Sequence, residues 1–274
     1  MTKIYGLLGR DLTHSYSPLI HNLFFKKANI SGKYLLLTCA KEDLQETLHT
    51  LSKAGLKGIN VTIPYKEEII PYLTDISPPA HNIGAINTIT IRDGKLYGDN
   101  TDYYGFGLAL KKNKVSIEGK TAAILGTGGS AKAIALYLAD NNVQDLLFVS
   151  RDPNTSQGRL GKDYRVLSYQ ELNNWPNLDI LINCTPVGMY PNPGQSPLPK
   201  VSLKKFSTVF DLIYNPYLSQ LLRDAHEMGA QIINGLYMLV AQGIKAQELW
   251  NNFVVADDII EQIYENINKE LLIC

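Results

Sequence analysis

Two kinds of apolar pattern alternate along the first hundred residues. Runs rich in β-branched and aromatic residues predict strands at 4–8, 34–38 and 58–62. Between them, 18–28 and 41–54 carry apolar side chains at helical spacing, and Gly55 ends the second helix. This β-α-β-α-β order predicts an α/β domain with a mostly parallel sheet.

The alternation resumes in the second half of the chain. Strands are predicted at 120–125, 146–150, 179–183, 208–212 and 231–234. Helices are predicted after the glycine-rich turn as far as residue 139 and at 217–228, 235–250 and 256–272. Residues 153–162 are rich in turn formers and show no helical period, which predicts a shortened crossover without a helix. At 274 residues, the chain is long enough for two domains.

A lysine follows the predicted strand at 58–62. Pro64 removes an amide donor and ends that strand, so Lys66 is expected near its carboxyl end, where ligands bind in such sheets. Glu67 and Glu68 predict a helix start with acids in its first turn. Lys66 is either a solvated loop charge or an acid–base catalyst. Thr101 or Asp102 could cap the helix predicted at 103–112, and the alternative role of Asp102 is that of a partner in proton transfer.

Two serines precede the first helix. Ser17 before Pro18 is typical of a helix N-cap followed by proline at the first helical position, and this is the favoured interpretation. Capping does not explain Ser15. The two hydroxyls together could hold a carboxylate or hydroxyl of a ligand instead.

A glycine-rich turn lies between the strand at 120–125 and the next helix. Gly126-Thr127-Gly128-Gly129-Ser130-Ala131 fits G-x-G-x-x-A, in which backbone amides and a helix N-terminus bind a pyrophosphate. The following strand ends in Ser150-Arg151-Asp152. Arg151 favours NADP, because it can bind a 2′-phosphate, while Asp152 keeps NAD possible.

Composition narrows the possible partners. The formal net charge is zero, so no nucleic-acid or anionic-membrane partner is expected. No apolar stretch is long enough to span a membrane, and the three cysteines are scattered, which indicates reduced thiols in the cytoplasm. The five histidines form no metal-ligand spacing, and no metal is expected.

Eight short motifs in order resemble the shikimate dehydrogenase family over nearly the whole chain. They are His14-Ser15-x-Ser17-Pro18, Asn60-Val61-Thr62-x-Pro64-x-Lys66, Gly84-Ala85-x-Asn87-Thr88, Asn100-Thr101-Asp102, the glycine turn at 126–129, Asn183-x-Thr185-Pro186-x-Gly188-Met189, Asp211-Leu212-Ile213-Tyr214-Asn215-Pro216 and Gly235-x-x-Met238-Leu239-Val240-x-Gln242.

The resemblance implies reversible NADPH-dependent reduction of 3-dehydroshikimate to shikimate. It implies a discontinuous substrate domain, 1–103 plus 236–274, and a Rossmann-like NADP domain, 104–235, in a monomer or homodimer. Lys66 and Asp102 match the catalytic pair. The implied substrate-binding residues are Ser15, Ser17, Thr62, Asn87, Tyr214 and Gln242. The implied cofactor-binding residues are Gly126, Thr127, Gly128, Gly129, Ser130, Ser150, Arg151, Ile213, Gly235 and Met238.

Two departures from the family pattern bear on the cofactor. The family often has Asn-Arg-Thr-x-x-Arg/Lys after the second nucleotide strand, and this chain keeps only Arg151 as a basic residue there. It also has Pro78-Pro79 where an acid is common. The alternatives are an NAD-using quinate/shikimate dehydrogenase and a non-catalytic relative that senses a ligand.

Overall fold

The computed structural model describes residues 2–160, 164–176 and 178–273. The chain forms two compact units, residues 1–105 with 239–274 and residues 106–238. The helix Asp102–Lys112 begins in the first unit and continues into the second, and the helix Leu236–Asn251 begins in the second and continues into the first.

The first unit is a six-stranded mixed sheet with helices. Its strands lie in the order β2-β1-β3-β5-β6-β4. Pairs β1/β2, β1/β3 and β4/β6 are parallel, whereas β5 is antiparallel to both β3 and β6. The elements are β1 Lys3–Gly9, α1 Ser17–Lys27, β2 Gly32–Thr38, α2 Leu44–Lys53, β3 Gly58–Val61, β4 Asp75–Ile76, α3 Pro78–Ile83, β5 Thr88–Arg92, β6 Lys95–Asp99, α4 Asp102–Lys112, α9 Leu236–Asn251 and α10 Asp257–Ile273.

The second unit is a six-stranded, wholly parallel sheet in the order β12-β11-β10-β7-β8-β9. Its elements are β7 Thr121–Leu125, α5 Gly129–Asp140, β8 Asp145–Val149, α6 Pro153–Leu160, β9 Arg165–Leu167, α7 Tyr169–Asn174, β10 Ile180–Asn183, β11 Thr208–Asp211, α8 Gln220–Glu227 and β12 Gln231–Ile233. This is the Rossmann strand order, and its direction of winding reverses between β7 and β10. A doubly wound dinucleotide-binding fold is therefore confirmed for this unit.

The prediction of turns without a helix at 153–162 was wrong for its described part. Residues 153–160 form α6, while residues 161 and 162 lie outside the described residues. Ser156 is the one buried residue of this helix, so the helix has no apolar stripe that hydrophobic periodicity could reveal. The Asp152 carboxylate instead satisfies the first turn by accepting from Thr155 N (3.2 Å).

The helix predicted to start at Glu67 does not form. Residues 63–69 are turns, followed by a short 3-10 helix at Ile70–Tyr72. Pro71 has no amide hydrogen to donate to the Glu67 carbonyl, which accepts from Ile70 N instead (3.4 Å). Lys66 is thereby held in a turn.

Candidate active site

The backbone of Lys66 is fixed from two directions. Beyond β3, Thr62 N donates to the Leu8 carbonyl at 2.9 Å, and Tyr65 N donates back to the Thr62 carbonyl at 2.9 Å. Lys66 O then accepts from Ile86 N at 2.7 Å. The lysine therefore projects from a turn tied to the sheet on one side and to the segment before β5 on the other.

Lys66 and Asp102 form a largely buried ion pair. Lys66 Nζ donates to Asp102 Oδ2 at 2.6 Å, and the two side chains are 13% and 7% exposed. Asp102 Oδ1 accepts from Asn87 Nδ2 at 2.8 Å. Such a short charge-assisted bond, largely shielded from solvent, keeps an ammonium and a carboxylate in position to exchange a proton with a bound hydroxyl.

Asp102 is the first residue of α4, and the two residues before it lock its position. Asn100 Nδ2 donates to the Ala85 carbonyl (2.8 Å), while Asn100 Oδ1 accepts from Asp102 N (3.0 Å). Thr101 N donates to Asn87 Oδ1 at 2.8 Å. The sequence predicted no role for Asn100 and only a possible helix-capping role for Thr101, although both stand in the Asn100-Thr101-Asp102 motif.

Gln242 on α9 reaches the same cluster. Its Oε1 accepts from Asn87 Nδ2 at 3.4 Å and from Thr101 Oγ1 at 3.3 Å. The structure therefore brings Lys66, Asp102, Asn87 and Gln242 together within the first unit, although Asn87 and Gln242 are 155 positions apart.

Ser15, and not Ser17 as expected, accepts a hydrogen bond from a backbone amide at the start of the first helix. Helix α1 begins at Ser17, its N-cap is Tyr16 without a side-chain hydrogen bond, and so the prediction of Ser17 as N-cap was wrong. Because Ser17 is already helical, its own amide needs an acceptor, and Ser15 Oγ supplies it at 3.2 Å. The Ser17 side chain instead hydrogen-bonds to the buried Tyr34 hydroxyl.

The glycine turn of the second unit stands at the reversal point of its sheet. Gly126 has φ +95°, and its amide donates to the Val149 carbonyl at 3.0 Å. A Cβ there would lie 3.2 Å from Thr185 Cγ2. A Cβ on Gly128 would meet nothing within 4 Å, and α5 begins at Gly129. An open backbone turn at the N-terminus of a 12-residue helix fits the pyrophosphate of a dinucleotide.

Asp152 is engaged by its own helix. Beyond the bond from Thr155 N, its Oδ2 accepts from Thr155 Oγ1 at 2.6 Å, and these bonds lower the pKa of the carboxyl. Ser150 Oγ accepts from Asp152 N at 3.1 Å. The adjacent Arg151 is exposed. The local geometry thus gives Asp152 a helix-capping task and leaves the Arg151 guanidinium available to a phosphate.

The remaining cofactor candidates surround one loop after β11. Ile213 N donates to Asp211 Oδ1 (3.1 Å), and Ile213 O accepts from Gly235 N (3.0 Å). A Cβ on Gly235 would lie 1.9 Å from the Leu212 carbonyl oxygen, so only glycine fits. Tyr214 follows on this loop and therefore belongs to the second unit, unlike the other five substrate candidates. Met238 is buried, and it is the last residue of α9 that belongs to the second unit.

A polar pair that the sequence did not indicate supports this loop. Asn183 and Asp211 end the neighbouring strands β10 and β11, and Asn183 Nδ2 donates to Asp211 Oδ1 at 2.9 Å. Burial raises the pKa of Asp211 to about 6. The available signal was a polar residue at the end of each of two apolar strands.

The described residues contain no cluster of three or more histidine, cysteine or acidic side chains arranged to hold a metal ion. No helix in the described ranges is long and apolar enough to cross a membrane.

A lysine–carboxylate pair in one α/β unit and a glycine-turn Rossmann unit define a dinucleotide-dependent oxidoreductase that acts on a CH–OH group. Comparison with known proteins specifies the family. Residues 7–89 match the family model described as the shikimate dehydrogenase substrate binding domain. A shikimate dehydrogenase (NADP(+)) of Clostridium perfringens is 44% identical over 267 residues, which cover 97% of this chain and 98% of that protein. The chain belongs to the shikimate dehydrogenase family.

Solved structures agree with this placement. A chorismate mutase/shikimate 5-dehydrogenase fusion protein from Clostridium acetobutylicum matches with a TM-score of 0.95 and 43% identity, over 99% of each chain. Shikimate 5-dehydrogenase from Thermus thermophilus, solved in complex with NADP(H) and shikimate, matches with a TM-score of 0.85 and 30% identity, over 96% of this chain and 99% of that one.

Proposed function

We propose that this protein catalyses the reversible NADPH-dependent reduction of 3-dehydroshikimate to shikimate, a step of aromatic amino-acid biosynthesis. The observation that carries the proposal is the Lys66–Asp102 contact at 2.6 Å, beside Asn87 and within the same cluster as Gln242. The names of the relatives support the reaction and the use of NADP. In this proposal the first unit binds the substrate and the second binds NADP.

The chemistry follows from where charge develops. NADPH, when bound, supplies a hydride to the C3 carbonyl carbon of the substrate. The carbonyl oxygen then gains negative charge. The Lys66 ammonium stabilises this charge and donates a proton to the oxygen. Asp102 holds the ammonium in place and balances its charge. In the direction of oxidation, the same pair accepts the proton of the substrate hydroxyl.

Neutral hydrogen-bonding groups suit the rest of a polyhydroxylated ring that carries a carboxylate. We assign Ser15 and Ser17 to the carboxylate, and the other substrate contacts to Thr62, Asn87, Tyr214 and Gln242. Cofactor binding falls to the backbone turn at Gly126, Thr127, Gly128, Gly129 and Ser130, to Ser150 and Arg151 near the 2′-phosphate, and to Ile213, Gly235 and Met238.

Replacement of Lys66 tests the catalytic assignment. We expect Lys66→Ala to lower kcat by on the order of 10²–10³, because it removes the donor to the developing alkoxide, with a much smaller change in KM. Lys41→Ala is a matched control, since Lys41 is an exposed lysine paired with Glu68 at 3.1 Å in the same unit. A near-normal kcat for Lys66→Ala in steady-state shikimate oxidation would remove Lys66 from the chemistry.

Cofactor choice has its own test. Arg151→Ala should raise KM for NADP much more than KM for NAD, because its guanidinium would bind the 2′-phosphate that NAD lacks. Arg159→Ala, at the far end of α6, is the control. Equal effects on both cofactors would show that Arg151 does not recognise the phosphate.

One assay series separates the alternatives. Oxidation of shikimate and of quinate is measured with NADP and with NAD. The proposed function predicts turnover of shikimate with NADP. Turnover of quinate with NAD would indicate the NAD-using quinate/shikimate dehydrogenase, and binding without turnover would indicate a ligand sensor. A cytoplasmic location and a monomeric or homodimeric state stay predictions.

A further inference from the structure

Buried hydrogen bonds connect Ser17 to side chains that the proposed mechanism does not use. The Tyr34 hydroxyl, which bonds to the Ser17 side chain, donates to Asn60 Oδ1 at 2.7 Å. Asn60 Nδ2 in turn donates to Thr88 Oγ1 at 3.1 Å. Tyr34, Asn60 and Thr88 are all buried, so each of these bonds replaces one to water.

The chain of bonds continues to the catalytic carboxylate. Thr88 Oγ1 also donates to Asn87 Oδ1 at 3.0 Å, with Thr101 Oγ1 as a second neighbour at 3.3 Å. Asn87 Nδ2 then donates to Asp102 Oδ1 at 2.8 Å. At the other end, the Ser17 side chain interacts with the Tyr34 hydroxyl, whose single hydrogen points to Asn60. The side chains of Ser17 and Asn87 are therefore oriented through Tyr34.

A neutral histidine supports Tyr34 from behind. The His21 ring stacks on the Tyr34 ring with centroids 4.0 Å apart and planes 10° apart. Its Nδ1 accepts from Gln247 Nε2 at 2.8 Å, so its Nε2 carries the hydrogen and bonds to the Asn60 side chain. Asn251 Nδ2 donates to Gln247 Oε1 at 3.0 Å, which fixes the orientation of that amide.

We propose that Tyr34 is a positioning residue for the substrate site, which orients Ser17 directly and Asn87 through Asn60 and Thr88. This inference rests on the proposed function, because it assumes that Ser17 and Asn87 contact shikimate. Loss of the Tyr34 hydroxyl would leave the Ser17 hydroxyl without this partner and Asn60 Oδ1 without one of its donors. Both side chains could then rotate away from the geometry that binds the substrate.

Tyr5 provides a matched control for a test by mutation. It is also buried, it donates its hydroxyl to Asn251 Oδ1 at 3.0 Å, and it stacks on Trp250 in the same aromatic cluster as Tyr34. Its hydroxyl bonds to Asn251, which is connected to Tyr34 through Gln247 and His21, and not to Ser17 or Asn87. A purely structural effect of removing a buried phenol should therefore appear equally in Tyr5→Phe and Tyr34→Phe.

The experiment compares KM for shikimate and for NADP in the full-length wild-type protein and its variants, with melting temperature as a check on folding. We expect Tyr34→Phe to raise KM for shikimate about 3- to 10-fold, the range for losing one buried hydrogen bond, and to leave KM for NADP unchanged. Tyr5→Phe should keep both KM values. Thr88→Val, which breaks the chain of bonds further along, should also raise KM for shikimate alone.

Three results would overturn the inference. One is a Tyr34→Phe variant with the same KM for shikimate as Tyr5→Phe. Another is an equal rise of both KM values, which would indicate a general loss of structure. In either case an active wild-type protein leaves the proposed function intact. A wild-type protein that does not oxidise shikimate at all would overturn the proposed function and the positioning role together.

Discussion

Gly235 has no room for a side chain, so Gly235→Ala tests whether the loop at Ile213 holds the dinucleotide. The added Cβ would lie 1.9 Å from the Leu212 carbonyl oxygen and 2.4 Å from its carbonyl carbon. A carbon–oxygen contact needs about 3.3 Å, so the two backbone segments must separate by roughly 1.4 Å. That movement stretches the 3.0 Å hydrogen bond from Gly235 N to Ile213 O.

The displacement sets the expected size of the effect. A shift of about 1 Å in a positioning group can cost on the order of 10² in rate. We therefore expect Gly235→Ala to lower kcat/KM for NADP by about 10²-fold and to weaken NADP binding. The assay is steady-state oxidation of shikimate with NADP varied, together with a direct measurement of the Kd for NADP by calorimetry.

Gly243→Ala is the control, because it is the same substitution inside α9, the helix that follows directly after Gly235. Its Cβ would lie 3.4 Å from Ile20 Cγ2 and 3.7 Å from His21 Nε2, which are tolerable contacts. Alanine is favoured over glycine inside a helix by roughly 0.5–1 kcal/mol, so this variant should keep wild-type kinetics and melt no earlier. A folded Gly235→Ala protein with the wild-type Kd for NADP would refute the role given to the loop.

Three further outcomes are expected. Asp152→Ala should lower the melting temperature by removing the α6 cap but keep the ratio of kcat/KM for NADP to that for NAD; a changed ratio would make Asp152 a selector of the cofactor. Ser15→Ala and Ser17→Ala should each raise KM for shikimate, and unchanged values would contradict their assignment to the carboxylate. Burial lowers the pKa of His21 to about 3, so between that pH and 6.5 the unfolded chain binds a proton that the folded chain excludes. The free energy of unfolding of the first unit should therefore fall by roughly 1.5 kcal/mol from pH 6.5 to 5. It is measured by urea unfolding of a Trp175→Phe variant, in which Trp250 is the fluorescent reporter. A fall just as steep after His21→Gln would contradict this expectation.

Five of the six strands of the second unit could be predicted closely from their apolar runs, whereas β9, Arg165–Leu167, was not predicted. Strand β7, Thr121–Leu125, lies within one residue of its predicted bounds, and its last four residues are fully buried. A parallel strand covered on both faces is a short apolar run between turn residues, which is a strong signal. The glycine turn after it was also predictable, since a positive φ at Gly126 selects the residue type.

Elements held by polar contacts could not be predicted in this way. Helix α6 depends on the Asp152 cap more than on an apolar face, and α1 begins one residue earlier than its Ser-Pro pair indicates. In both cases the deciding interaction is a single side-chain hydrogen bond, formed by Asp152 in one and by Ser15 in the other. Hydrophobic periodicity carries no information about such a bond.

The site shows why residue identity and residue role are separate problems. Each unit buries a carboxylate beside the end of its sheet, Asp102 in the first and Asp211 in the second. Asp211 accepts from Asn183, from the Ile213 amide and from Ser219, which are three neutral donors, and burial raises its pKa. It is suited to bracing a loop.

Asp102 accepts instead from Asn87 and from a lysine that is 36 positions away in the sequence. Both carboxylates occur in short motifs near the end of a predicted strand, so sequence alone does not distinguish a brace from an acid–base partner. The distinction lies in the ammonium at 2.6 Å, because that ammonium carries a proton that it can give to a substrate oxygen, and none of the donors to Asp211 is charged. That contact depends on the turn that Pro64 and Pro71 enforce around Lys66, where a helix had been expected.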